Sequence, residues 1–384
     1  MIADAVGAIL LAAVTLYALF GGADFGAGFW DLFAGGARRG RAPRALIDES
    51  ITPVWEANHV WLIFALVIFW TAFPNAYTAV LNVTALPLWL AVGGVVLRGA
   101  GFAFRKEVWS LRLQRATGAA FALSSLLTPF FMGTVIGAIA TGHVPAGARH
   151  ASLAAWTNAT SLLLGFLFVG ACAYLAAVYL VDEAASRGEP ALERYFARRA
   201  QIMAVIAGAL SLATLAELHG SNRALFDRLT GRALPLVIVS AACGVVVIVL
   251  LGVHQRIAAR FVAAAGVAAV VWGWGVAQYP VLLPGTGVTL QNAGAPQATL
   301  VAIVVVFVAL VVLVGPPFVL LFNLQQRRVL QHGEDLPAPH TNGVWRAAVG
   351  QPAAAGPREV PASGRLVTFV VVAVVAFLRR RRSR

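Results

Sequence analysis

Nine apolar stretches, each holding a window of about twenty residues nearly free of charge, run from one end of this chain to the other and decide what it can fold into. They are Val6 to Phe33, Ile51 to Phe73, Tyr77 to Phe104, Ala116 to Ala140, Leu153 to Val181, Ala200 to Leu218, Leu234 to Val253, Ile257 to Tyr279 and Thr299 to Phe322. A segment of that length and polarity crosses a bilayer as a helix, because only a helix satisfies its backbone internally there. Composition agrees: 60% of the 384 residues are hydrophobic and 12% are charged, against about 45–50% and about 25% in soluble domains. The reading is an all-α, polytopic membrane protein with about nine transmembrane helices.

The net charge of +13 does not point to nucleic acid, because most of the 29 basic residues sit in short loops between the apolar stretches and form no stripe on a soluble face. They read instead as topology signals. Arg38, Arg39, Arg41 and Arg44 follow the first stretch, Arg105, Lys106 and Arg112 the third, and Arg187, Arg194, Arg198 and Arg199 the fifth. Arg256 and Arg260 lie between the seventh and eighth, and Arg327 and Arg328 follow the ninth. Every odd helix is therefore expected to end in the cytoplasm, with the amino terminus outside and the carboxyl terminus inside. Met1 to Asp4 lack the positive start of a signal peptide, so the first stretch is expected to remain as a helix. Cys172 and Cys243 each fall inside an apolar stretch, which supports neither a disulfide framework nor a thiolate metal site.

Residues 1–328 read as one transmembrane domain, and 329–384 as a flexible cytoplasmic tail. Gly333 to Arg365 is rich in Pro, Ala and Gly, a disorder-like composition. The apolar run Leu366 to Leu378 that comes next, ended by Arg379 to Arg382, is too short to span.

Charge inside a bilayer costs at least about 2.5 kcal/mol near the centre, so each buried charge is a functional candidate until paired. Asp24 lies in the first stretch between Gly22 and Gly26, a small-xxx-small pair that lets another helix approach closely. The bland alternative is a carboxylate near a helix end, reached by water. In the second stretch Pro53, Trp55, Glu56, Asn58, His59 and Trp61 fall within nine residues. Glu56 and His59 are three apart on one helical face, where a carboxylate and an imidazole can exchange a proton or simply form a local pair. Arg98, late in the third stretch, either compensates the two carboxylates or snorkels to the headgroups. Of seven histidines only His59 lies well inside a stretch, which makes the chain a poor holder of several haems.

Four segments together resemble a known family. Gly22 to Gly28, Pro53 to Leu62, Arg98 to Phe102 and Tyr279 to Pro284 are similar to subunit II of cytochrome bd-type quinol oxidases, and the resemblance runs to about residue 328. It implies nine helices, mostly in two four-helix bundles, in the cell membrane of a prokaryote. It implies pairing with a subunit I that carries haem b and haem d and the quinol site, with room for a small third subunit and for a structural quinone or lipid. The complex so implied oxidises quinol and reduces dioxygen to water. By position Asp24 and Glu56 resemble acids on a proton path, with Trp55, His59 and Arg98 supporting them and no cofactor or metal held by this chain. Some members carry Asp where this chain has Glu56, and others an Asp where it has Ala103. The rival reading is a secondary transporter, which should show paired broken helices in two related halves; neither is clear here.

Overall fold

A helix stands on every one of the nine stretches. In chain order the elements are α1 (Ile2–Leu32), α2 (Arg41–Ala72), α3 (Pro74–Val83), α4 (Ala85–Arg105), α5 (Leu111–Ala140), α6 (Leu153–Thr157), α7 (Ala159–Ser186), α8 (Pro190–Ser221), α9 (Arg223–Thr230), α10 (Leu234–Gly252), α11 (Arg256–Gln278), β1 (Val281–Leu283), β2 (Val288–Thr289) and α12 (Gln297–Gln326). The structure, a computed structural model, describes residues 1–36, 38–105 and 111–326, with side-chain detail for all of these but 51–57, 102–105, 111–117, 314–315 and 318–326. The tail from 329 lies outside the described residues. The chain divides into a unit Met1–Leu313 and a unit Val314–Arg384, and the helix packing and polar site described below belong to the first.

Two stretches are broken where one helix was expected, Tyr77 to Phe104 at Thr84 and Leu153 to Val181 at Asn158, and the junction before the first of them is sharply bent. Tyr77 to Phe104 is shared between α3 and α4, and α3 turns 116° away from the end of α2. Pro74 opens α3, and the preceding Phe73 takes φ −134° and ψ 60°, because a proline disfavours the helical conformation of the residue before it. Leu153 to Val181 breaks at Asn158, whose extended backbone and side-chain acceptor for the Ser161 N–H start α7 afresh. The loop after the eighth stretch carries a two-stranded antiparallel hairpin pairing Val281 with Thr289.

Among the described residues six helices are long and apolar enough to cross a membrane, seven if the bent pair Asn58–Ala72 and Pro74–Val83 counts as one span. The described apolar parts of α4 and α12, Ala85–Gly101 and Gln297–Leu313, are shorter. The chain is thus an all-α, multi-pass membrane protein.

The helix α7 is the hub: 67% of its apolar window is buried, against 11% for α10 and 17% for α8. It packs on α1, α5, α8 and α11. Close approach to α1 is possible because a Cβ at Gly26 would lie 1.8 Å from the Cys172 carbonyl oxygen, and one at Gly22 would lie 2.8 Å from the Leu175 side chain. Gly22 and Gly26 therefore do seat a neighbouring helix, and that helix is α7. Three apolar cores form among the described residues, the smallest around Leu218 and Leu225. Of the two larger, one gathers Trp30, Leu46, Phe121, Tyr174 and Phe196, the other Val6, Phe73, Val83, Val144 and Leu283 near the opposite end of α1.

Candidate functional site

Asp24 and Arg98 meet inside the bundle. Asp24 is 0% exposed and Arg98 1%, so the arginine does not snorkel. Its Nε donates to Asp24 Oδ2 at 3.2 Å and its Nη2 to Asp24 Oδ1 at 2.5 Å. The same Nη2 reaches the Asp24 backbone carbonyl at 2.6 Å, and Nη1 donates to Ser125 Oγ. This is the two-pronged geometry that a guanidinium offers a carboxylate and an ammonium cannot. From α2, Asn58 Nδ2 donates to Asp24 Oδ2 at 3.3 Å. The guanidinium also lies over Phe121, 4.3 Å from the ring centroid, and over Phe25 at 5.1 Å, adding cation–π attraction in a dry setting.

Glycine spacing explains how four helices bring these groups together. Gly21, Asp24 and Gly28 are spaced by three and four residues, so they share one face of α1. A Cβ at Gly21 would lie 2.8 Å from Asn58 Oδ1, and one at Gly28 would lie 2.0 Å from Ser125 Oγ and 2.8 Å from Arg98 Nη1. Gly22 and Gly26 occupy a different face and receive α7. One glycine pair seats a helix; the other clears room for the polar groups of α2, α4 and α5.

Both Asp24 oxygens are occupied by donors, but Asn58 Oδ1 is buried with no hydrogen-bond partner among the described residues. A void of about 10 Å³ is lined by Asp24, Ser50 and Tyr179 among others, at the lower limit of the room one water needs. Seven residues beyond Asp24, Asp31 is paired with Arg44 at 2.8 Å. Near the end of α7, Arg187 joins Glu183, at 2.7 Å, to Glu49 of α2. Burial works against the Arg187 charge, yet Glu183 and Glu49 hold its pKa above the usual arginine value.

The other expected site residues stand as follows. Trp55 and Glu56 belong to the α2 backbone, but their side chains lie outside the described residues, as does that of Ala103. His59 is half-buried on α2. Sequence reasoning missed Asn58, Ser125, Phe25 and Phe121 as members of the site. The Gly21, Asp24, Gly28 face was the signal that could have found the first two.

Of the described histidines, His143, His150, His219 and His254 are exposed and His59 is half-buried on α2. His143 bonds Thr141 at 2.8 Å, His219 sits against Arg223, and His254 pairs with Glu193 at 3.2 Å. The Met132 sulfur accepts the Tyr17 hydroxyl at 3.4 Å, and Met203 is packed in the first core. Among the described residues no group of three or more His, Cys, Asp or Glu could hold a metal ion.

A multi-pass helical chain that buries a two-pronged ion pair, braced from four helices, is an integral membrane protein with a charge site inside its span. The sequence profile of the family "Cytochrome bd terminal oxidase subunit II" matches residues 3–325, and the chain belongs to that family. It is 30% identical over 147 residues to cytochrome bd ubiquinol oxidase subunit 2 of Bacillus subtilis (strain 168), which is 38% of this chain and 42% of that protein. It is 27% identical over 126 residues to cytochrome bd-I ubiquinol oxidase subunit 2 of Escherichia coli (strain K12), 33% of this chain and 32% of that one. These alignments span less than half the length of the curated relatives. In fold it is similar to a chain of the bd oxidase from Geobacillus thermodenitrificans, with a TM-score of 0.67 and 24% identity over 84% of this chain and 98% of that one.

Proposed function

We propose that this chain is the second subunit of a membrane-bound quinol oxidase and brings protons toward the oxygen-reducing centre of a haem-bearing partner. Family membership supports the reading and disfavours the transporter. The observation that carries it is the Asp24–Arg98 pair with Asn58, fixed next to the helical turn that holds Glu56. Two quinols supply four electrons to one dioxygen, and four protons are consumed in forming two waters. A centre inside the bilayer cannot draw these through hydrocarbon, so a polar path must be built.

Within that path the two acids take different parts. Asp24 gives both oxygens to Arg98 and Asn58, so it anchors Arg98 and, through Asn58, the turn of α2. Glu56, two residues before Asn58, is the group that gains and loses the proton, with Trp55 and His59 beside it in sequence. Haem b and haem d on the partner supply oxygen binding and electron transfer, and quinol is the reductant. We further propose nine spans with the amino terminus outside, in the plasma membrane of a prokaryote, a domain ending near Arg328, and a cytoplasmic tail.

The test is purification in mild detergent from the native membrane, followed by identification of the co-purifying protein, a reduced-minus-oxidised spectrum, and quinol-dependent oxygen uptake. A haem-bearing partner and oxygen uptake are expected. A chain that purifies alone and transports a solute when reconstituted would overturn the reading.

A further inference from the structure

Outside the ion-pair site, a groove of about 530 Å³ lies where the end of α1 faces the first half of α8, within the range of small-molecule pockets. Its wall is apolar, formed by Phe29, Trp30 and Phe33 from α1 and by Ile202 and Met203 from α8, and its rim carries Arg198 and Arg199. No acid is among these lining residues. The nearest acids along the two helices are engaged elsewhere: Asp31 with Arg44 at 2.8 Å, and Glu193 with Arg256 at 2.8 Å and His254 at 3.2 Å.

The rim is built and not merely basic. The Arg199 guanidinium lies 3.3 Å from the Tyr195 ring centroid and 5.7 Å from that of Trp30, and one of its N–H groups donates to the Tyr195 carbonyl at 3.2 Å. Trp30 is itself held, its indole N–H donating to the Ala173 carbonyl at 2.8 Å. A guanidinium fixed this way presents its remaining donors as a fork suited to phosphate oxygens. Arg198 beside it is exposed. Away from the rim, Ile202, Val205, Ile206 and Leu212 stand exposed along α8. At about 1.5 Å per residue they make an apolar lane roughly 15 Å long. Tryptophan and arginine at the ends of spanning helices mark the headgroup level.

We infer that this groove binds one anionic phospholipid, its phosphate on Arg198 and Arg199 and an acyl chain along Phe29, Ile202 and the α8 lane. Charge complementarity selects the occupant: an apolar trough with a cationic, acid-free rim at headgroup height matches a negative head on a hydrocarbon tail. The inference is independent of which group carries protons.

The experiment uses the purified complex containing this chain, delipidated and titrated with phosphatidylglycerol or phosphatidylcholine, with bound lipid read by native mass spectrometry. Phosphatidylglycerol should bind more tightly. Arg198→Gln should weaken it about five-fold, and Arg198→Gln with Arg199→Gln about thirty-fold, following the roughly five-fold effect of each basic residue near an anionic surface; phosphatidylcholine, whose choline cation offsets its phosphate, should be weakened less than phosphatidylglycerol by each variant. The single variant alters only an exposed side chain, so it reads the site even if the double variant misfolds. A photoreactive benzophenone residue in place of Ile202 should yield a lipid adduct. Equal binding of the two lipids, indifference to Arg198→Gln, displacement by inorganic phosphate alone, or a benzophenone adduct with another protein chain would each overturn the inference.

Discussion

Replacing Asp24 by Asn leaves Arg98 charged, 1% exposed and facing a neutral amide. Two of the guanidinium's hydrogen bonds end on the Asp24 carboxylate and a third on its backbone carbonyl, so the substitution removes the only full countercharge the described contacts give it. Leaving one member of a buried pair uncompensated costs about 3–5 kcal/mol. Arg98→Met does the converse: it strands the carboxylate with Asn58 and costs about as much. The double variant removes both charges, and exchanging a buried pair for neutral groups of similar volume is close to neutral. The singles should therefore sum to about 6 kcal/mol or more while the double loses less than about 2, a coupling of at least about 4 kcal/mol. Reversible unfolding in mixed micelles, titrated with sodium dodecyl sulfate, reads each of the four free energies. Additivity within about 0.5 kcal/mol would refute the view that this pair is a closed unit.

Gly26→Ala should destabilise by about 1–3 kcal/mol, because its methyl would overlap the Cys172 carbonyl, whereas Gly93→Ala, with nothing within 4 Å, should be neutral or gain up to about 1 kcal/mol; thermal unfolding of the two variants compares them. Reporter fusions after Arg44 and after Pro74 should report opposite sides of the membrane, and the same side for both would overturn the arginine-based topology. The chain expressed alone should take up no stoichiometric haem, and a well-defined haem spectrum would contradict the assignment of the haems to the partner.

Much of this was legible in residue order. The nine apolar stretches located the helices, since apolarity over about twenty residues is a property of local sequence. The breaks at Thr84 and Asn158 were missed because an apolar run hides a turn set by a single residue, such as the capping Asn158. For the site, Asp24 and Arg98 stood out as charges in apolar surroundings, and a compensating cation was one of two readings for Arg98. Burial decided between them. Asn58 and Ser125 did not stand out as partners, because polar amides and hydroxyls recur along the stretches and residue order does not say which of them face one another. The Gly21, Asp24, Gly28 face marks where room was left, and the neighbours of Gly21 and Gly28 show what fills it.

The division of labour between the two acids is tested most directly at Glu56. Gln keeps the size and hydrogen-bonding capacity of Glu but cannot titrate, while Asp keeps the acid with one methylene fewer. Complexes carrying Glu56→Gln or Glu56→Asp, purified to the same haem content, are compared in quinol-dependent oxygen uptake. With Glu56 as the proton carrier, Glu56→Gln should fall to about a hundredth of wild type or below, in line with the roughly 10²-fold or larger effect of removing a proton-transfer group, and Glu56→Asp should retain most of the rate. Glu56→Gln turning over at the wild-type rate with full haem content would contradict that role.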